Sequence, residues 1–286
     1  LLHCFGVDED LIRLNLYANN ADYDLRDSYR EAVVKKRYVN FNDPDKFAST
    51  VYQYADPDNS NTVGFISGSL SGSLERSESH LGFTTECEVI FAEKPNIRNS
   101  FYFDTPFQSG SIFGMHTAKG ETAASTGWLS PDDANFQVYL VKPNRESSDG
   151  YFFLTSSTPF PISEIKTDLF KGIYDNEKWN LAVSIRPEHY GITNLVTSSA
   201  AQAYKLEFFG TNVRGGVEER SFYKTQMIGS ASAEKFLRSN KRMYVGAHRT
   251  DFTGGVLQYS DAKISGVRYW ASYLPTSSII AHAKDP

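Results

Sequence analysis

Apolar and polar residues alternate with a period of two along much of this chain. Phe83, Thr85, Cys87, Val89 and Phe91 fall on one face of a segment, with Thr84, Glu86 and Glu88 on the other. Trp179, Leu181, Val183 and Ile185 alternate with Asn180, Ala182 and Ser184; Tyr204, Leu206 and Phe208 alternate with Lys205 and Glu207. Successive side chains of a strand point to opposite faces, so this period predicts half-buried β-strands. Residues 135–141 and 151–154 predict two more, separated by the turn formers Pro143-Asn144 and Asp149-Gly150. Residues 12–17, 243–246 and 264–270 complete the set. Helix is predicted only at 232–237 and 276–284, the second with a Thr or Ser cap, an Ile279-Ile280 step and Pro286 beyond its end. Many strands with helices as punctuation predict an all-β fold, a two-sheet antiparallel sandwich or jelly roll with a short C-terminal helix. Trp179, Leu181, Val183, Leu206, Phe208 and Val245 are expected between its sheets.

Composition agrees. The chain has 286 residues, 14% of them aromatic, with 20 Phe and 17 Tyr against 3 Met; aromatic residues suit a pleated, half-buried surface. A sandwich of this length is able to form as one unit. The net charge of -5 counts against nucleic-acid binding, which needs a basic patch to displace phosphate counterions. No apolar run approaches the ~18 residues of a membrane span.

Residues 18–36 are charged and Tyr-rich, so 1–36 is set apart as an N-terminal segment, the end of a preceding module or an assembly arm, and 37–286 as the sandwich domain. That N-terminal segment is expected to pack on a neighbouring chain or domain. Residues 37–80 are expected to supply the first strand. The doubled Ser67-Gly68-Ser69-Leu70 and Ser71-Gly72-Ser73-Leu74 read as a loop or loose hairpin. The start at Leu1-Leu2-His3-Cys4 reads as a piece of a longer or processed polypeptide. Cys4 and Cys87 leave a disulfide open, although Cys87 in its strand suits a buried free thiol. No Asn-x-Ser/Thr site occurs.

Four pieces in order resemble the laminin-G-like, concanavalin A-like jelly roll: Tyr174 to Val183 with its Trp opening a strand, Tyr204 to Gly210 ending at a Gly turn, Met243 to Ala247, and Gly255 to His282. Residues 86–91, 174–183 and 246–254 further resemble jelly-roll domains in structural proteins of tailed, notably marine, phages. The resemblance implies a virion or extracellular structural part working with other chains in an oligomeric assembly, with cell-surface glycans as alternative partners.

The chemistry searched for is mostly missing. Glucanases of this fold resemble a strand bearing Glu-x-Asp-x-Glu, and no such triplet occurs. Glu86 and Glu88 are the nearest pair, expected as solvent-facing residues on an edge strand. There is no His-Glu-x-x-His, Gly-x-Ser-x-Gly or Walker loop, so no catalytic residue is assigned and the chain is expected not to be an enzyme. His116 and His248 are expected at the surface or at strand ends rather than as metal ligands. No motif calls for a cofactor; Asp132, Asp133, Asp149 and Asp251 leave calcium open, turn formation being their commoner role. Ligand contact is assigned to Trp128, a loop-like aromatic, with His248, Arg249 and Asp251. A structural and attachment module is the first expectation, a carbohydrate-binding adhesion module the alternative, and a glycan-cleaving enzyme the third.

Overall fold

Alternation along the strands resolves into two stacked antiparallel sheets. The computed structural model describes residues 36–54, 58, 64, 66, 82–93, 107–117, 135–156, 164–188, 203–229, 232–233, 236–237 and 239–284. The strands are β1 (Val39–Asn40), β2 (Thr50–Tyr52), β3 (Phe83–Phe91), β4 (Ser109–Thr117), β5 (Asn135–Val141), β6 (Tyr151–Thr155), β7 (Ile165–Lys166), β8 (Lys178–Pro187), β9 (Tyr204–Arg214), β10 (Val217–Ile228), β11 (Lys241–Gly246), β12 (His248–Arg249), β13 (Val256–Gln258) and β14 (Ala262–Trp270); one helix, α1, spans Thr276–Lys284. Sheet A has the order β1-β14-β3-β8-β9-β10 and sheet B the order β2-β11-β4-β5-β6-β7, while β12 and β13 form a separate two-stranded ribbon.

The inward rows of both sheets make the core. Trp179, Leu181, Val183, Leu206 and Phe208 from sheet A are fully buried against Phe113, Phe136, Val138, Phe152 and Leu154 from sheet B. Val245 joins them from β11. Trp179 anchors this layer, its ring 5.1 Å from that of Phe152 and 4.8 Å from that of Phe170. Aromatic pairs at such separations add to the area they bury. Cys87 is a free, fully buried thiol, and burial raises its pKa well above the usual range.

Several boundaries differ from the sequence expectation for identifiable reasons. Gly210 does not end a strand: β9 runs on to Arg214, and the reversal is made by Gly215 and Gly216, both at positive φ. Two such residues between antiparallel strands match the right-handed strand twist. Gly210 is instead a packing position, where a Cβ would stand 2.2 Å from the Phe222 ring on β10. Strand β4 escaped the pattern because Gly110 and Gly114 interrupt its apolar row. β10 escaped because it is an edge strand with mostly polar outward residues. The helix at 232–237 is seen at its described residues, 232–233 and 236–237. Residues 37–80 contribute β1 and β2. The expected strand at 12–17, the repeat at 67–74, Cys4 and the segment 1–36 apart from Lys36 lie outside the described residues. Among the described residues no helix is long and apolar enough to cross a membrane.

Candidate functional site

Residues facing away from the core carry the polar chemistry, and the two sheets differ. On the outer face of sheet A stand Glu86 and Glu88 of β3 and Glu207 of β9, all essentially inaccessible to solvent. This corrects the expectation for Glu86 and Glu88. Strand β3 lies between β14 and β8 rather than at an edge, and side chains distant in sequence cover its outer face. Glu86 Oε1 accepts from Trp270 Nε1 at 2.9 Å and contacts His282 Nδ1 of α1 at 2.8 Å; its Oε2 accepts from Asn180 Nδ2 at 3.3 Å. The His282 ring stacks on Trp270, and Asn180 also donates to the Ile279 carbonyl, so Glu86 and Asn180 fasten α1 to the sheet. Glu88 pairs with Lys36 and lies 3.9 Å from Lys178. Glu207 pairs with Arg186 at 2.9 Å and accepts from the Tyr273 hydroxyl at 3.0 Å. A buried carboxylate is tolerated only when paired and hydrogen-bonded in this way.

Sheet B carries a different set. Cross-strand registers place Arg242 of β11 opposite His116 of β4, Gly114 opposite both Tyr244 and Gln137, and Ser111 opposite Tyr139. Because Met243, Val245, Val138 and Leu140 point into the core, Arg242, Tyr244, Gln137 and Tyr139 point out. Gly114 makes this cluster fit, since a Cβ there would stand 2.6 Å from the Tyr244 ring and from the Phe136 carbonyl.

The chain leaves β11 through Gly246 (φ 89°), where a Cβ would meet the Phe41 ring at 2.5 Å, and lays His248 over the cluster. His248 Nε2 lies 3.2 Å from His116 Nε2, its Nδ1 lies 2.8 Å from the Tyr139 hydroxyl, and Gln137 Nε2 lies 3.2 Å from His116 Nε2. The two Nε2 atoms hydrogen-bond when one ring carries its proton there and the other accepts it. Both are buried, and loss of water disfavours the charged form: His248 is pushed down to about 4 and His116 well below its ordinary value. Burial likewise raises the Tyr139 phenol. The pair is therefore neutral at neutral pH.

Of the residues assigned from sequence, the structure brings His248 into this network and gives Arg249 and Asp251 other work. Arg249 donates to the carbonyls of Ala48 and Gly254 and to Thr50 Oγ1, pinning the ribbon to the loop before β2. Asp251 Oδ1 accepts from the Phe252 amide at 2.8 Å, a turn contact. Asp149 accepts from the Gly172 amide at 2.8 Å, 23 residues on, tying the turn before β6 to the turn after β7. Trp128, Asp132 and Asp133 lie outside the described residues. His116 and His248 stand at strand ends as expected, in β4 and β12, but the expectation of surface histidines is corrected for both, which are buried partners of one another. Sequence reasoning missed Gln137, Tyr139 and Arg242. Their outward alternation in β5 and β11 was visible, but the partners of Gln137 and Tyr139 come from 21 and 109 residues away. Among the described residues no group of three or more His, Cys, Asp and Glu is placed to hold a metal ion.

No family model and no curated protein matches the chain. Solved structures that it is similar to include the full-length tailspike protein 2 of an Escherichia coli O157:H7 bacteriophage (TM-score 0.44, 8% identity, covering 90% of this chain and 28% of that one). Others are alginate lyase A1-II' (TM-score 0.33, 10% identity, 83% and 84% covered) and a legume lectin-like domain from Entamoeba histolytica (TM-score 0.32, 6% identity, 66% and 72% covered). The chain spans about a quarter of the length of the tailspike structures it matches.

Proposed function

We propose that this chain is a non-enzymatic structural and attachment module, a lectin-like jelly-roll part of a virion or other extracellular assembly that works with other structural chains as an oligomer. The observation supporting it is the commitment of Glu86, Glu88 and Glu207 to internal partners. Glycoside hydrolysis needs two carboxyls about 5–9.5 Å apart with a sugar between them, one of them protonated. Here the three acids lie under Trp270, His282, Lys36 and Tyr273 and serve as anchors for the outer layer of sheet A. The alternative of a carbohydrate-binding module draws support from sheet B, whose outer face carries the half-buried rings of Tyr139, Tyr151 and Phe153. Sedimentation velocity of the full chain over a wide concentration range tests the assembly role. A discrete multimer is expected, and a monomer at every concentration overturns it.

A further inference from the structure

The outer face of β6 carries a strip of aromatic rings that the His116–His248 network does not use, beside Tyr139 of β5, which it does. In β6, Phe152 and Leu154 enter the core, so Tyr151, Phe153 and Thr155 point out. The register sets Tyr139 opposite Phe153, Val141 opposite Tyr151 and Gln137 opposite Thr155. On the far side, Lys166 of β7 stands opposite Phe153, and its ammonium lies 4.2 Å from the centre of the Tyr151 ring. Tyr139, Tyr151, Phe153 and Thr155 are all half-buried, and Lys166 is exposed.

Resting on the attachment reading, we propose that this strip is a docking platform for a glycan chain, with Phe153 and Tyr151 stacking against successive sugar rings and Thr155 and Lys166 meeting their hydroxyls. Three features point to a sugar. The negative faces of aromatic rings attract the polarised C–H groups of one face of a pyranose. Side chains two apart on a strand stand about 7 Å apart, a separation that lets each ring meet a different sugar unit of an extended chain. Thr155 in the same row and Lys166 on the neighbouring strand flank the rings, suiting a ligand with an apolar face and a hydroxylated rim.

Affinity electrophoresis of the full chain in gels containing laminarin, agar or alginate tests this. At least one polysaccharide is expected to retard the protein. Phe153→Ala and Tyr151→Ala are expected to weaken retardation about tenfold, one aromatic contact each, while Phe153→Tyr retains it. Melting curves identify any variant that fails to fold, and Phe153→Tyr then decides by retention or loss. No retardation by any of the three overturns the platform, as does retardation that both alanine variants keep. A Phe153→Ala change that alters sedimentation but not retardation assigns the strip to a protein contact and also overturns it. None of these failures touches the non-enzymatic reading, which falls only if the glycan is cleaved.

Discussion

Acidification from pH 7.5 to 4.5 is expected to destabilise the sandwich by about 2–3 kcal/mol through His248 alone. The ring is buried over Tyr139 and His116 and its pKa falls to about 4, against 6.5 for an unperturbed ring. Above pH 6.5 neither state holds the extra proton and stability is complete. Between 6.5 and 4 the unfolded chain takes up the proton first, so stability falls as the pH does. Each pKa unit is worth about 1.4 kcal/mol, and most of the interval has been crossed at pH 4.5. His116 is depressed in the same sense and adds to the loss. For a domain of this size a loss of that order corresponds to about 5–10 °C in Tm. Chemical denaturation at both pH values, of the native chain and of His248→Asn, isolates the contribution, because asparagine offers Tyr139 an acceptor but does not titrate. The pH-dependent loss in the variant is expected to be smaller by about 2 kcal/mol. An equal loss in both proteins refutes the placement of a neutral, buried imidazole at 248.

Gly210→Ala is expected to cost about 1–3 kcal/mol, because its methyl group overlaps the Phe222 ring and core overpacking carries that penalty; urea denaturation measures it. Glu86→Ala leaves Trp270, Asn180 and His282 without their shared acceptor. The expected result is a loss of about 2–3 kcal/mol and faster amide exchange confined at first to Thr276–Lys284; unchanged exchange there removes Glu86 as the fastening of α1.

Strands with strict alternation were legible from residues alone. Phe83–Phe91, Asn135–Val141 and the Trp179 segment each carry a continuous apolar row, and Thr276–Lys284 carries its cap and its stop. What alternation cannot express is who covers the other face. Glu86 and Glu88 read as solvent-facing because nothing nearby in sequence pairs with them. Their partners are Trp270 and His282, 184 and 196 residues from Glu86, and Lys36, 52 residues from Glu88. Glycine was ambiguous for a related reason. Gly246 serves a reversal as expected, whereas Gly210 and Gly114 serve a neighbour's ring, and only the register shows which. Tyr151 and Phe153 were read as strand residues, and their meaning as a strip appears only once β5 pairs with β6 and sets Tyr139 beside them.

The non-enzymatic reading is tested most directly by proton NMR of laminarin, agar and alginate incubated with the full chain. The buried, paired state of Glu86, Glu88 and Glu207 predicts spectra that do not change with time, with neither new reducing-end signals nor olefinic signals. Either signal growing with enzyme-like turnover, and abolished by Glu86→Gln or Tyr139→Phe, would contradict it.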